Sequence, residues 1–325
     1  MKLRSAKLDC QLFSRLYIGF QNPDGSLSEF FAHENQACPP SISDCGNLRQ
    51  DVKAALVSCL ENLCETTQSE PEVTAVVLDG AAVVHFNPPG QSKTFRDYGE
   101  NVIAKHIKIW LIKVSRVDLV WDSYIENSLK SSTRGKRGSG ARNRVLPFVQ
   151  IPRKWNEFLR VDKNKVELFS MLSKVVVEID VNGKNVFATD GENALCSSKS
   201  QNMDQMSPCI HEKADTRIII HCFDAARKGH QKLMIRTVDT DVMIIAVSYY
   251  HLLNVQELWV AFGIGTKLRY LPAHKYATAL GEKKARSLLF YMPFRDVTPY
   301  HSSLDVEKRQ CGMSGCRLKR AMQPF

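Results

Sequence analysis

The sequence predicts an α/β fold, a three-layer α/β/α domain with a mainly parallel central sheet. From residue 73 onward, short apolar runs of strand length alternate with longer segments whose apolar residues recur at helical spacing. The short runs are apolar at consecutive positions, which is typical of parallel strands buried on both faces. We expect the domain to span residues 71–296, after a partly ordered N-terminal extension over 1–70 and before an irregular C-terminal tail over 297–325.

The predicted elements alternate along the chain as parallel pairing requires. Before the domain, apolar residues at helical spacing predict a helix over residues 48–63. The predicted strands are residues 73–78, 117–121, 186–189 and 233–238. The predicted helices between them are residues 98–112, 165–176 and 214–226. Helices in these positions act as crossover connections between parallel strands.

The later part of the domain has a different pattern. Residues 258–262 and 267–271 are expected to form a hairpin, because two apolar runs flank a short Gly-containing turn. Helical spacing predicts a helix over residues 276–289 with a break near Gly281. Residues 191–210 are polar and Ser-rich and are therefore predicted to form a loop.

The chain is strongly basic, with 44 Lys and Arg against 34 Asp and Glu, a net charge of +10 and a pI near 9.1. Such an excess suggests an acidic partner, which is usually nucleic acid. No apolar stretch reaches the roughly 18 residues that a membrane span needs. The first ten residues also lack the apolar segment of a signal peptide. We therefore expect an intracellular protein without a membrane partner, in which the cysteines are free thiols.

Acidic residues follow three of the predicted strands. Asp79, Asp122 and Asp239 each come at a strand end, and Asp241 lies two residues beyond the last of them. In open α/β sheets, ligands bind at the carboxyl ends of the strands. Two carboxylates roughly 4 Å apart repel by about 4 kcal/mol at an effective dielectric constant near 20, unless a cation or a helix N-terminus compensates. The alternative is an ordinary turn in which the second Asp of the Asp239/Asp241 pair caps the next helix.

Two further acids, Glu212 and Asp215, open the helix predicted over 214–226 and share one helix face. They either complement the helix dipole or bring more oxygens to a metal. Mg²⁺ and Mn²⁺ prefer carboxylate oxygens, and two such ions about 4 Å apart are typical of phosphodiester hydrolysis. The candidate metal ligands are Asp79, Asp122, Glu212, Asp215, Asp239 and Asp241. All of them except Glu212 are also candidate catalytic residues.

A basic segment begins eight residues after Asp122 and contains six cationic residues with no acid between them. These residues are Lys130, Arg134, Lys136, Arg137, Arg142 and Arg144. The segment fits an arm that binds phosphates beside the carboxylates, and a contact with about six phosphates would weaken roughly a thousandfold between 50 and 200 mM salt. It equally fits a solvated loop or a nuclear localisation signal.

The chain resembles the flap endonuclease/XPG-like nucleases of the PIN-like superfamily. It is most similar to a group of mobile-element-like animal proteins that are remote members of that superfamily. The resemblance depends on the stretches 30–36, 78–86, 117–138, 154–159, 214–218 and 236–242. It implies a PIN-like fold and hydrolysis of DNA or RNA phosphodiesters by two Mg²⁺ or Mn²⁺ ions, often at branched or flapped ends. We expect DNA rather than RNA as the partner and a nuclear location.

The resemblance also assigns roles to individual residues. Asp79 and Asp122 match the metal-binding aspartates of the first two strands. Asp215 matches the second acid of the Glu-Ala-acid helix motif, and Asp239 and Asp241 match the Asp-x-Asp motif. Lys130, Arg134 and Arg137 match the arch of this family, here residues 126–150, which binds the scissile phosphate.

Two departures from the family pattern bear on activity. Lys213 stands where the family has the first glutamate of its helix motif, with Glu212 one position early. A Gly-Cys-Asp stretch expected near residue 295 is replaced by other residues, including Asp296. The alternatives to a nuclease are therefore a catalytically inactive PIN-like module that binds nucleic acid, and an interaction protein from a decayed mobile element.

Overall fold

A computed structural model of the chain describes residues 43–44, 47–48, 53–64, 69–124, 141–198, 201–209, 211 and 214–296. The chain divides into two compact units. The larger unit is Cys64–Ala279, and the smaller combines Met1–Leu63 with Leu280–Phe325. Most of the predicted extension and the whole predicted tail over 297–325 lie outside the described residues. The predicted domain limits therefore stay a prediction.

The larger unit contains a seven-stranded sheet. Its strands are β1 (Ala75–Asp79), β2 (Arg116–Val120), β3 (Asn185–Asp190), β4 (Asn193–Cys196), β5 (Lys232–Thr237), β6 (Glu257–Phe262) and β7 (Arg269–Pro272). Their order across the sheet is β4-β3-β2-β1-β5-β6-β7. The inner five strands are parallel, and β4 and β7 are antiparallel edges. The strand order reverses at β1, which makes the carboxyl ends of β1 and its neighbours a topological switch point.

Helices cover both faces of this sheet, so the predicted three-layer α/β/α architecture with a mainly parallel sheet is confirmed. The helices are α1 (Gly80–Phe86), α2 (Phe95–Tyr98), α3 (Ala104–Lys113), α4 (Trp155–Phe158), α5 (Asp162–Val177), α6 (Ala214–Arg227), α7 (Thr240–Leu253) and α8 (Ala273–Leu280). A π-helical turn, Gly99–Ile103, joins α2 to α3, and a 3₁₀ turn, Gly265–Lys267, lies between β6 and β7.

Alternate strand residues point to opposite faces of the sheet. Val76 and Leu78 of β1 belong to a core cluster with Ile107 of α3 and Leu172 of α5. The other face of β1 contacts α6, which packs against α7. The carboxyl ends of the strands therefore lie between two helical layers. Helices α6 and α7 both begin at this edge of the sheet, because each returns the chain to the opposite edge, where the next parallel strand begins.

The predicted strands are confirmed with limits that shift by one or two residues, and the helices predicted over 165–176 and 214–226 with limits that shift by three residues at most. The helix predicted over 98–112 corresponds to the last residue of α2, the π-helical turn and α3. The predicted hairpin is β6 and β7, and the predicted break at Gly281 separates α8 from a helix at Glu282–Asp296. In the smaller unit the helix predicted over 48–63 is Lys53–Glu61, and a two-residue ladder joins Ser43–Asp44 to Asn47–Leu48.

The prediction of a loop throughout residues 191–210 was wrong, because β4 lies within it. Asp190 pairs with Asn193, so a two-residue turn connects β3 to β4. Gly191 occupies the first turn position with φ +58°, the conformation that such tight hairpins require. The strand is a short edge of four residues, too short for the longer apolar run by which buried strands are predicted.

Helix α7 was not predicted as an element of its own. Its residues from Val242 to Ser248 are all buried, so the helix has no polar stripe. An apolar run of this kind cannot be told from a buried strand by periodicity alone. Within the described part of the chain, no helix combines the length and apolar character that crossing a membrane requires.

Candidate metal centre

The sequence-predicted acids of the described chain meet at the switch point of the sheet. Asp79 is the last residue of β1, Asp122 follows the end of β2, and Asp239 follows the end of β5. Asp215 and Asp241 lie in the first turns of α6 and α7. Because β2, β1 and β5 are neighbours in the sheet, their carboxyl ends bring these acids to one edge.

Three of these acids form a compact triad. One carboxylate oxygen each from Asp215, Asp239 and Asp241 lies within 4.8 Å of the other two. Asp215 and Asp241 are buried, and Asp239 is half-buried. The N-terminal ends of α6 and α7 carry partial positive charge that offsets part of the mutual repulsion. A cation would offset the rest, so the triad can hold a metal ion.

Asp79 belongs to the same electrostatic cluster. The pKa of Asp79 is raised to about 6, chiefly by burial and to a smaller extent by the carboxylates of Asp122 and Asp215, which together outweigh two hydrogen bonds that lower it. One bond comes from the Ala82 backbone N–H, 3.2 Å from Oδ1, and makes Asp79 the N-cap of α1. The other comes from Thr237 Oγ1, 2.9 Å from Oδ2. A carboxyl with this pKa ionises close to neutral pH.

Asp122 joins the end of β2 to the start of α6. Its Oδ1 accepts a hydrogen bond from the backbone N–H of Ala214 at 2.9 Å. Ala214 is the first residue of α6, so a side chain from a distant part of the sequence satisfies one of the unpaired N–H groups of that helix. Asp215 is the next residue, and the bond therefore positions Asp215 relative to the strand ends.

The turn between β5 and α7 is capped by its first aspartate. Asp239 is the N-cap of α7, and its Oδ1 accepts from the Asp241 backbone N–H at 2.8 Å. The alternative in which the second aspartate caps the helix was therefore wrong. An N-cap residue accepts from the N–H two or three positions later, which is the geometry of Asp239. Asp241 instead contributes its carboxylate to the triad from the first turn.

Thr237 is a site residue that the sequence analysis missed. Its hydroxyl donates to Asp79 and accepts from the Asp239 backbone N–H at 3.0 Å, so it links β1 to the capped turn. Its position in the sequence could have identified it. Residues two apart in an extended segment point to the same side, so the Thr237 side chain is expected on the same side as Asp239.

Trp121 positions the residue that follows it. Its backbone N–H donates to Thr189 Oγ1 at 2.9 Å, and its indole Nε1 donates to Ser173 Oγ at 2.7 Å. The indole stacks on Phe169 of α5 with ring centroids 4.3 Å apart. Asp122 is thus held by contacts to β3 and α5 on one side and by Ala214 on the other.

A buried ionic network ties β2 to α6 behind the acids. Arg116 Nε lies 2.7 Å from Asp118 Oδ2, and Arg116 Nη1 lies 2.7 Å from Asp224 Oδ2. His221 Nδ1 lies 2.8 Å from Asp118 Oδ1, where it donates to the carboxylate. Burial alone would raise the pKa of Asp118, but Arg116 and then His221 outweigh it and hold the pKa at about 2. His221 is fully buried within this network.

The predicted phosphate-binding arm is described only in its last part. Lys130, Arg134, Lys136 and Arg137, together with Glu212, lie outside the described residues. Arg142 donates to Asn164 Oδ1 at 2.9 Å and forms an ion pair with Glu167. The Glu167 carboxylate also accepts from the Val145 backbone N–H at 2.8 Å. The end of the arm is therefore fastened to the first turns of α5.

Arg144 is exposed and lies next to these contacts between the arm and α5. The pKa of Glu167 is lowered chiefly by the Val145 N–H, with smaller contributions from Arg142 and Arg144. Part of the Arg142 charge is engaged within the protein, whereas Arg144 remains available to solvent. The structure thus places both predicted cations at the carboxyl edge of the sheet, where α5 begins.

No protein-family model matches the chain, and no curated protein sequence is significantly similar to it.

Proposed function

We propose that this protein hydrolyses nucleic-acid phosphodiesters with divalent cations held by its carboxylate cluster. The observation that carries the proposal is the triad of Asp215, Asp239 and Asp241, whose oxygens lie within 4.8 Å of one another. The donors are carboxylates alone, without His or Cys. Such a set fits hard cations, Mg²⁺ or Mn²⁺, better than zinc.

The proposed ligands of these ions are Asp79, Asp122, Glu212, Asp215, Asp239 and Asp241. When bound, two ions at such a cluster activate a water and stabilise the leaving oxygen of an in-line displacement. The protein's own part is to hold the carboxylates in place. The Ala214 N–H orients Asp122, and Thr237 orients Asp79 relative to Asp239.

The charge of the chain supports nucleic acid as the substrate. A net charge of +10 favours a polyanion, and Arg144 lies exposed at the same edge of the sheet as the acids. The sequence resemblance to flap endonuclease/XPG-like nucleases of the PIN-like superfamily supports the same substrate class. We further propose DNA rather than RNA as the substrate, and a nuclear location. The order of the inner strands, with a switch point at the acids, is compatible with that resemblance.

Cleavage of a labelled 5′-flap DNA in Mg²⁺ and in Mn²⁺ tests the proposal. We expect cutting that depends on the metal and is abolished in Asp241→Asn. Asp204→Asn is the matched control, because Asp204 is exposed and lies outside the cluster. Folded wild-type protein that cuts in neither metal would overturn the proposal.

A catalytically inactive binding module is the second candidate, and a specific observation favours it. Asp79, Asp122 and Asp239 each accept a backbone N–H at a helix start, so these acids have a structural use without any metal. This candidate predicts salt-sensitive DNA binding without cleavage. If the chain is instead an interaction protein, we expect neither cleavage nor DNA binding.

A further inference from the structure

A second surface at the carboxyl edge of the sheet presents an aromatic ring to solvent. Phe148 is 76% exposed, the largest exposure among the aromatic residues whose burial the structure describes, and Leu146 beside it is 45% exposed. Both lie in a turn closed by a hydrogen bond from the Val149 N–H to the Leu146 carbonyl at 3.1 Å. With Val149, which is 38% exposed, these residues form an exposed apolar patch, and such a patch bordered by polar residues is typical of a binding surface.

The turn is firmly held, so the exposure of Phe148 is part of the fold. The Arg96 N–H donates to the Pro147 carbonyl at 2.8 Å, and the Phe95 N–H donates to the Val149 carbonyl at 3.2 Å. Beneath the turn, Phe95 packs against Phe158 with ring centroids 5.5 Å apart. The turn therefore lies on the start of α2, which is at the same edge of the sheet as the carboxylates.

The surroundings of Phe148 are cationic. Between residues 141 and 160 the chain has five cationic side chains and one acid, Glu157. The five are Arg142, Arg144, Arg153, Lys154 and Arg160. The Arg96 guanidinium also lies 5.7 Å from the centre of the Phe148 ring. Arg144, Arg153 and Arg160 are exposed, and neither Arg153 nor Arg160 forms an ion pair with another described residue.

We infer that this surface binds unpaired nucleotides, with Phe148 stacking on a base and Arg144 and Arg153 contacting the flanking phosphates. Single-stranded nucleic acid is bound by the same combination of a basic surface and exposed aromatic rings. An acidic apolar peptide would also meet an aromatic ring and cations. Arg142 and Lys154 are paired with Glu167 and Glu157, but the exposed Arg144, Arg153 and Arg160 leave an excess of positive charge on this surface. That excess favours the polyanion, because a nucleic-acid strand carries a charge at every residue.

This inference rests on the proposed function and extends it to a substrate with a single-stranded region. The fastening of residues 142–145 to α5 places the surface beside the start of that helix. Asp122 is held against the same helix through Trp121 and its partners Phe169 and Ser173. A strand bound at Phe148 would therefore lead towards the end of β2 and the acids.

The test is the affinity of the full chain for a labelled 15-nucleotide strand, measured by fluorescence anisotropy in EDTA, so that no cleavage is needed. DNA and RNA of one sequence are compared. Phe148→Ala is paired with Ile112→Ala, a control at an apolar residue that is 80% exposed on α3. Arg144→Gln and Arg153→Gln are paired with the control Lys108→Gln, which removes an exposed cation of α3.

We expect Phe148→Ala to weaken binding roughly five- to a hundredfold, as the loss of one stacked base does. Its salt dependence should stay that of the wild type. Each arginine variant should instead reduce the slope of log affinity against log salt by about 0.7. The two controls should bind as the wild type does, and circular dichroism should show every variant to be folded.

Wild-type affinity in Phe148→Ala would overturn the inference, whatever the result of the cleavage assay. A change of oligomeric state in that variant, with strand binding unchanged, would overturn it in favour of a protein partner. If the wild type fails to cut any substrate but Phe148→Ala loses strand binding, the proposed hydrolysis fails and the binding surface stands.

Discussion

The indole of Trp121 lies so close to Gly80 that a β-carbon at residue 80 would stand 2.1 Å from the Trp121 Cε3 atom. Gly80 directly follows Asp79, and Trp121 directly precedes Asp122. The contact therefore brings two acids from neighbouring strands side by side. Burial contributes most to the raised pKa of Asp79, and the nearby Asp122 carboxylate adds a smaller contribution in the same direction.

We expect Gly80→Ala to lower the free energy of unfolding by roughly 1–3 kcal/mol, because an added methyl group overpacks a full site. The indole cannot move aside without losing its hydrogen bond to Ser173 and its stacking on Phe169. Urea unfolding measures the loss. The double variant Gly80→Ala/Trp121→Leu should be less destabilised than the two single changes added together. Strict additivity would contradict the contact.

The positions of the acids could be predicted from the sequence because strand ends are a local property. Asp79, Asp122 and Asp239 each follow an apolar run, and parallel strands bring such ends to one edge. The fold class followed from the same alternation of strands and helices. Neither prediction needed the identity of residues far apart in the chain.

The packing that holds the acids could not be predicted in this way. The Gly80–Trp121 contact and the bond from Ala214 to Asp122 join residues about 40 and 90 positions apart, with nothing in either local pattern to match them. Which aspartate caps α7 depends on the residue at which that helix begins. The first residue of α7 could not be predicted, because the helix is apolar on all sides and has no helical periodicity to mark its start. Long-range contacts and helix limits were therefore the missing information.

Metal binding should stabilise the folded protein through the triad. An ion at 100 times its Kd adds about 2.7 kcal/mol to the free energy of unfolding, because it binds the folded state alone. We expect Mg²⁺ or Mn²⁺ to raise the melting temperature of the wild type and to leave Asp241→Asn unchanged. Differential scanning calorimetry with and without EDTA measures this. Asp204→Asn, at an exposed residue outside the cluster, should respond as the wild type does.

The stability of the metal-free protein should depend on pH through Asp79. Its folded-state pKa of about 6 lies above the ordinary 3.8, so its contribution is fully present below pH 3.8 and is lost as the pH rises through 6. A shift of this size corresponds to about 3 kcal/mol. We expect Asp79→Asn to gain stability relative to the wild type between pH 4 and pH 6.5 in EDTA. A constant difference across that interval would show that Asp79 is not the group responsible.

The buried network behind the site should be highly sensitive to the loss of its cation. Arg116→Met leaves the carboxylates of Asp118 and Asp224 without their main partner in the interior. Removing one member of a buried ion pair destabilises proteins by roughly 3–5 kcal/mol. We expect a loss of this size at pH 7 in chemical unfolding, together with weaker metal binding, because β2 and α6 carry Asp122 and Asp215.

Lowering the pH should reduce the difference in unfolding free energy between the wild type and Arg116→Met, and the pH range of this change should identify Asp118 as the titrating group. Its pKa is lowered to about 2 in the folded protein, so the stabilisation by Arg116 is present above the ordinary 3.8 and is lost as the pH falls through 2. The gap between wild type and Arg116→Met should therefore narrow from pH 4 towards pH 2. Arg96→Met is the matched control, because Arg96 makes an exposed ion pair with Glu100 and its loss should be barely measurable. Both substitutions remove one arginine from an ion pair, but water can solvate the remaining carboxylate only at the exposed pair. Equal losses of unfolding free energy in the two variants would therefore contradict the conclusion that burial makes the Arg116 network sensitive.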